Sequence, residues 1–226
     1  LDIRQSGPIG RFDVDLSAMS DPLAAVGADV LILADPLNGG EWDGDLGLAL
    51  VRRLVRAGTT GPFVLAGPKQ TWLLERAVTE LKVPADRMVG SAPSALVGAV
   101  RALVGVELSL SGAEVAVAVT GRPPAFVIGW SAAVVSGALV TERVPAHRLA
   151  AIAQALPRMW PPGPQANASA TARIAEALAA GSRRLHYALT VLDGEMGARG
   201  VAAMLPLELG QGRVLRRAQP SLSPQE

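Results

Sequence analysis

Short apolar runs alternate with stretches in which apolar residues return every three or four positions, and the two periods sort the first half of the chain into strands and helices. Ala28 to Ala34, bounded by Gly27 and by Asp35-Pro36, has the profile of a strand buried on both faces. After a Gly-rich stretch, Leu46, Leu50 and Leu54 recur at helical spacing from Asp45 onward. Arg52, Arg53 and Arg56 lie near the carboxyl end, where cations suit the helix dipole, and Gly58 is the expected stop. Phe63 to Ala66 predicts a second strand, Thr71 to Lys82 a helix, Arg87 to Gly90 a third strand, and Ser94 to about Val106 an Ala- and Val-rich helix. Strand and helix in strict alternation imply a parallel sheet with right-handed crossovers.

Beyond Gly121 the pattern changes. Glu114 to Thr120 alternates small apolar residues, and Val134 to Val140 predicts two strands about a turn. Arg148 to Leu156 and Thr171 to Ala180 read as helices separated by Trp160-Pro161-Pro162-Gly163-Pro164, which no helix crosses. His186 to Leu192, a turn at Asp193-Gly194, Val201 to Leu209 and a Gly210-Gln211-Gly212 turn complete an antiparallel sheet packed on helices. The expectation is an α/β class with two domains, 1–120 with a parallel sheet and 121–226 of α+β type.

The chain has 226 residues, 50% of them apolar and 18% charged, with a mean hydropathy of +0.31, which excludes a disordered tail. Its 21 basic and 20 acidic residues are interspersed without a basic run, so no nucleic-acid partner is expected. The absence of Cys removes disulfides and thiolate metal sites and is compatible with a cytoplasmic location, and two His leave little for metal chemistry. Pro123 to Thr141 is uncharged, but its Pro-Pro opening, Gly129 and Gly137 fit a buried, turn-rich segment better than a membrane span. The chain opens without Met, and Ser223-Pro224-Gln225-Glu226 has capping-box spacing, so part of a longer protein is expected.

Several strings, in order, resemble the lactate/malate dehydrogenase family. Asp193-Gly194-Glu195-Met196-Gly197 is similar to its D-G-E-Y-G turn, and Leu205 to Val214 to its P-V-x-L-G-x-x-G-V hairpin. Ser221 to Glu226 resembles the start of its last helix, Pro84 to Gly90 its P-x-x-R-V-I-G, Ala66-Gly67-Pro68 its T-N-P, and Val119-Thr120-Gly121 the V-x-G before its catalytic His. Leu1-Asp2-Ile3 with Asp15-Leu16-Ser17 resembles its second strand and the D-L-S that follows. The resemblance implies a Rossmann-like sheet, lacking its first strand and Gly-rich phosphate turn, followed by the family's α+β domain. On this fragment alone it also implies an exposed sheet centre.

The resemblance also implies NAD as cofactor, a 2-hydroxy acid as substrate and a homo-oligomer or protein partner. Of the cofactor contacts, Asp2 falls on the acid that meets the adenine ribose, and Gly67 and Pro68 on the nicotinamide loop. The catalytic set is another matter. The family's orienting Asp falls on Leu96, its carboxylate-binding Arg on Ala99, its His on Pro123, and the loop before Asp45 has Asn38, Gly39, Gly40, Glu41 and Trp42 without an Arg. None of these replacements accepts a proton or grips a carboxylate. Arg101 and Arg122 remain as cations near the substrate cleft, although a surface role is the plainer reading of each. His147 and His186 read as surface or strand residues, Asp2 is as readily a merely exposed terminal residue, and Glu195 reads as structural. Trp160 and its prolines replace a helical stretch that walls the family's substrate site. The expected function is a dehydrogenase-like protein without catalytic residues, serving as a binding, assembly or regulatory subunit. The alternatives are an active, divergent NAD-dependent malate or lactate dehydrogenase and a structural interaction module.

Overall fold

The computed structural model describes residues 7–9, 13–34, 42, 44–220 and 222–223. Among them, three short parallel strands carry the first half: β1 (Leu31–Leu33), β2 (Phe63–Leu65) and β3 (Met88–Gly90). Helices α1 (Gly44–Arg56) and α2 (Thr71–Thr79) connect them, and α3 (Ser94–Leu108) follows. The second half holds β4 (Val115–Arg122), β5 (Ala125–Val135) and β6 (Ala138–Leu139), then α4 (Val140–Arg143), α5 (Ala146–Ala155) and α6 (Pro164–Ala180). It ends with β7 (Leu185–Asp193), β8 (Arg199–Gly210) and β9 (Arg213–Arg217). The fold is α/β, as the alternating pattern predicts. None of the described helices is long and apolar enough to cross a membrane.

The register explains why the first strands are apolar throughout. Ile32, Val64 and Val89 stand side by side, as do Leu33, Leu65 and Gly90. Phe63, Leu65 and Met88 pack into the larger core, with Leu48 and Val51 of α1 and Leu73 and Leu74 of α2. Val64 and Val89 point the other way, into a core completed by Ile174 and Leu178 of α6 and by Leu205 and Leu207 of β8. A strand covered on both faces has no polar side to show.

The two halves share one sheet rather than carrying two. Its order is β1-β2-β3-β7-β8-β4-β5-β6, with β9 on β8. The parallel part meets the antiparallel part through a single pair, Gly90 with Leu189. A Cβ at Gly90 would stand 2.9 Å from that of Leu189, so this crossing requires glycine. A second single pair, Gly121 with Met204, joins β8 to β4; Gly121 has φ +126° and a Cβ there would stand 2.5 Å from the Ala125 carbonyl oxygen.

Two expectations are corrected. Pro123 to Thr141 is mostly strand, β5 and β6, whose faces alternate between core and solvent instead of forming a buried, turn-rich segment. Helix α6 begins at Pro164, seven residues before the sequence pattern suggests, because a proline at the first helical position starts a helix without loss. Asp15, Leu16 and Ser17 form neither helix nor strand. Leu1-Asp2-Ile3, Ser221 and Pro224 to Glu226 lie outside the described residues, as does the start of the expected terminal helix. At the other end of the sheet, β1 pairs only with β2 among the described strands, and Ile32 is 48% exposed.

Candidate functional site

At the carboxyl ends of β1 and β2 the chain runs into Ala34 and into Ala66-Gly67-Pro68, leaving a cavity of about 560 Å³ beneath exposed Ile32. Helix α6 covers Val64 and Val89 but stops short of Ile32, and that shortfall is the opening. The far wall is Pro161, Pro162 and Pro164, entered through a cis Trp160-Pro161 bond, and the first turns of α6, with Asn167, Ala168, Thr171 and Ala172. The Gly67 N–H donates to Gln70 Oε1 at 3.1 Å and folds this loop on itself.

Polar groups pin the loop to α6. Asn167 Nδ2 donates to the Ala66 carbonyl at 2.8 Å, and the Ser91 and Thr171 hydroxyls meet at 2.7 Å. Asn167 Oδ1 and Gln70 Nε2 are buried without a hydrogen-bond partner. A buried amide oxygen without a donor favours a ligand that brings one. The described lining contains no acid, base or guanidinium. The described lining suits a flat, largely apolar group and offers it no proton-transferring side chain. Sequence reasoning passed over Asn167 and Gln70; the only signal was an amide at the start of an Ala-rich helix.

The expected catalytic positions do not converge on this cavity. Leu96 is 1% exposed and belongs to the apolar core. Ala99 lines a different cleft, between α3 and α6. Pro123 stands in the β4–β5 turn, at a cis Pro123-Pro124 bond. Pro68 lines the cavity and Gly67 is its neighbour in the same loop, whereas Asp2 and the loop residues Asn38, Gly39, Gly40 and Glu41 lie outside the described residues.

Both candidate cations are engaged. Arg122 grips Glu75 of α2 with both nitrogens, at 2.6 and 3.3 Å, and Glu75 also accepts the Ala202 N–H at 2.7 Å, tying α2 to β4 and β8. Arg101 donates from Nε to the Gly112 carbonyl and from a terminal nitrogen to that of Ala113, at 3.0 and 2.9 Å. Glu195 is structural, as expected: burial would raise its carboxyl, but backbone N–H donors at Asp193 and Glu195 and the nearby Arg217 hold it below the ordinary range. His147 is exposed on α5. His186 is half-buried; burial first, then Arg173 and Arg184, press its pKa down against the opposing Glu176. No group of three or more metal-ligating side chains occurs among the described residues.

No protein-family model matches the chain. The malate dehydrogenase of Thermomicrobium roseum is 26% identical over 248 residues, which cover 100% of this chain and 79% of that protein. Among solved structures, the malate dehydrogenase of Salinibacter ruber superposes with a TM-score of 0.85 at 20% identity, covering 99% of this chain and 77% of that one. The minor L-lactate dehydrogenase of Enterococcus mundtii gives 0.83 at 19% identity, over 99% and 78%. Residue pattern, sheet order and these likenesses together identify the chain as a divergent protein with the lactate/malate dehydrogenase family fold.

Proposed function

We propose that this protein keeps the dehydrogenase fold as a binding, assembly or regulatory subunit and does not carry out hydride transfer on a 2-hydroxy acid. The observation that carries this reading is the burial of Leu96 in the apolar core, at the position where the family places the carboxylate that orients its base. Ala99 and Pro123 support it, since neither side chain binds a carboxylate or takes a proton. No substrate role falls to Arg101 or Arg122, whose guanidinium groups are already engaged.

The cavity fits the nicotinamide end of NAD, because it is apolar, framed by Ala66 and Pro68, and offers Asn167 Oδ1 to an amide N–H. Asp2 is the candidate partner for the adenine ribose. When bound, the nicotinamide supplies a hydride-exchanging ring; this chain's part is to hold it and exclude water. Self-association and a cytoplasmic location belong to the same proposal.

The test is an assay of the full-length protein for NADH oxidation with oxaloacetate and with pyruvate, alongside NADH fluorescence titration and sedimentation. Saturable NADH binding without turnover is the expected result. Activity within about a hundredfold of an ordinary dehydrogenase overturns the reading, because losing a base and a substrate arginine costs several kcal/mol of transition-state stabilisation. The match of this whole chain to most of a malate dehydrogenase supports that second reading, an active divergent enzyme. No NADH binding favours a purely structural module.

A further inference from the structure

The cleft between α3 and α6, closed by the start of β7, measures about 480 Å³ and lies apart from the cavity at the strand ends. Its floor is apolar, with Val97 and Ala99 from α3 and Ala170 and Ile174 from α6. Its edges are basic: Arg101, Arg173, Arg184 and His186 all line it, and no carboxylate does. The cation expected at position 99 is gone, and others enter the space from α6 and β7.

The basic groups differ in freedom. Arg101 is held by two backbone carbonyls and contributes field rather than contact. Arg173 pairs with Glu176 at 2.8 Å in full view of solvent, an ion pair that yields easily to a better partner. The Arg184 guanidinium makes no hydrogen bond or ion pair with the described residues. His186 Nε2 stands 2.8 Å from Ser182 Oγ. Arg101, Arg173 and Arg184 stand around a half-buried imidazole, opposed by Glu176, which is itself paired with Arg173, so positive charge is in excess in the cleft and a bound anion relieves it.

We propose that this cleft binds a small organic anion, a phosphate or carboxylate carried on an apolar body. Arg173 and Arg184 meet the acid group, His186 joins them on taking up a proton, and the apolar part lies on Ala99, Ala170 and Ile174. The site acts independently of any dinucleotide. Its pH dependence follows from the groups that face His186: Arg173 and Glu176 on α6, Arg184 beside it, Arg101 on α3, and the neighbouring Tyr187, whose burial raises its pKa and keeps it neutral. Adding an anion to that set favours imidazolium, so binding strengthens as pH falls.

The chain has two histidines, so ring proton NMR on the full chain reads His186 directly, with His147→Gln making the assignment. Inorganic phosphate, phenyl phosphate and benzoate are titrated against sodium chloride of equal ionic strength. The expected result is a saturable shift of the His186 resonance and a rise in its titration midpoint with phosphate or benzoate, but not with chloride. Phenyl phosphate binding tighter than inorganic phosphate supports the apolar floor, and the stronger of phenyl phosphate and benzoate names the acid group. Arg184→Ala is expected to weaken binding about tenfold or more, and Arg173→Ala by less, with the His147 signal unmoved. Both arginines are exposed, and the same spectra report that the variants remain folded. Equal shifts with chloride, or equal affinity in the wild type and Arg184→Ala, overturn the proposal.

Discussion

Replacing Leu96 with aspartate restores the residue type that the family resemblance places there, and the structure gives the consequence a magnitude. The Leu96 side chain is 1% exposed and sits in the main core. Removing it forfeits about 2–3 kcal/mol of transfer and packing energy. A carboxyl left there without a partner adds about 1–3 kcal/mol even when protonated. Keeping it protonated above its ordinary pKa of about 3.9 costs a further ~1.4 kcal/mol per pH unit. The sign follows from linkage: the folded state binds more protons than the unfolded state, so stability is greatest at low pH and falls as pH rises toward the elevated folded pKa. Urea unfolding of Leu96→Asp and the neutral Leu96→Asn, followed at pH 4.5 and 6.5, separates these parts. Both variants should lose at least about 3 kcal/mol at the lower pH, and the gap between them should widen by about 2–3 kcal/mol at the higher. A loss under about 1 kcal/mol in Leu96→Asp, with a gap that ignores pH, refutes the reasoning. Position 96 would then face a wet cleft where an acid stays ionised and can orient a base, and the non-catalytic reading would lose its main support.

Further outcomes follow from the sheet junction, the Glu75 tie and His186. Gly90→Ala places a methyl against Leu189 in a fully packed layer and should cost about 1–3 kcal/mol in chemical unfolding. Glu75→Ala should cost about 1–2 kcal/mol, more than Arg122→Ala, because it frees both an arginine and the Ala202 N–H; a double-mutant cycle should show coupling between Glu75 and Arg122. His186, depressed in the folded state, stabilises fully above its ordinary pKa of about 6.5. That contribution is lost as pH falls through the folded value, and His186→Gln should flatten this part of the stability profile.

The sequence shows the strands and helices of the first half to within a few residues, since doubly buried strands such as Phe63–Leu65 and amphipathic helices such as Gly44–Arg56 write their period plainly. The start of α6 is hidden because Pro164 reads as a breaker when it is in fact a first residue. The single sheet is hidden because pairing across Gly90 and Gly121 depends on long-range register, which no local pattern carries. Of the site, Gly67 and Pro68 were legible through their loop, whereas Asn167 and Gln70 were not. Their role depends on an unmatched amide atom, which exists only once the surroundings are packed. His186 reads as a surface or strand residue and does stand in β7, but the cleft that half-buries it draws on residues such as Arg101 of α3 and Ile174 of α6, 85 and 12 residues earlier in the chain.

The hairpin of β7 and β8 is fastened to β3 on one flank and to β4 on the other by one residue pair each, with β9 laddered along the end of β8, while its own Leu189, Met204, Leu205 and Leu207 are buried. It is thus a plug seated by fit more than a plank nailed along its length. Hydrophobic adhesion fades on cooling while hydrogen-bonded ladders hold, so chilling, more than gentle warming, is the stress that should first let this plug work loose.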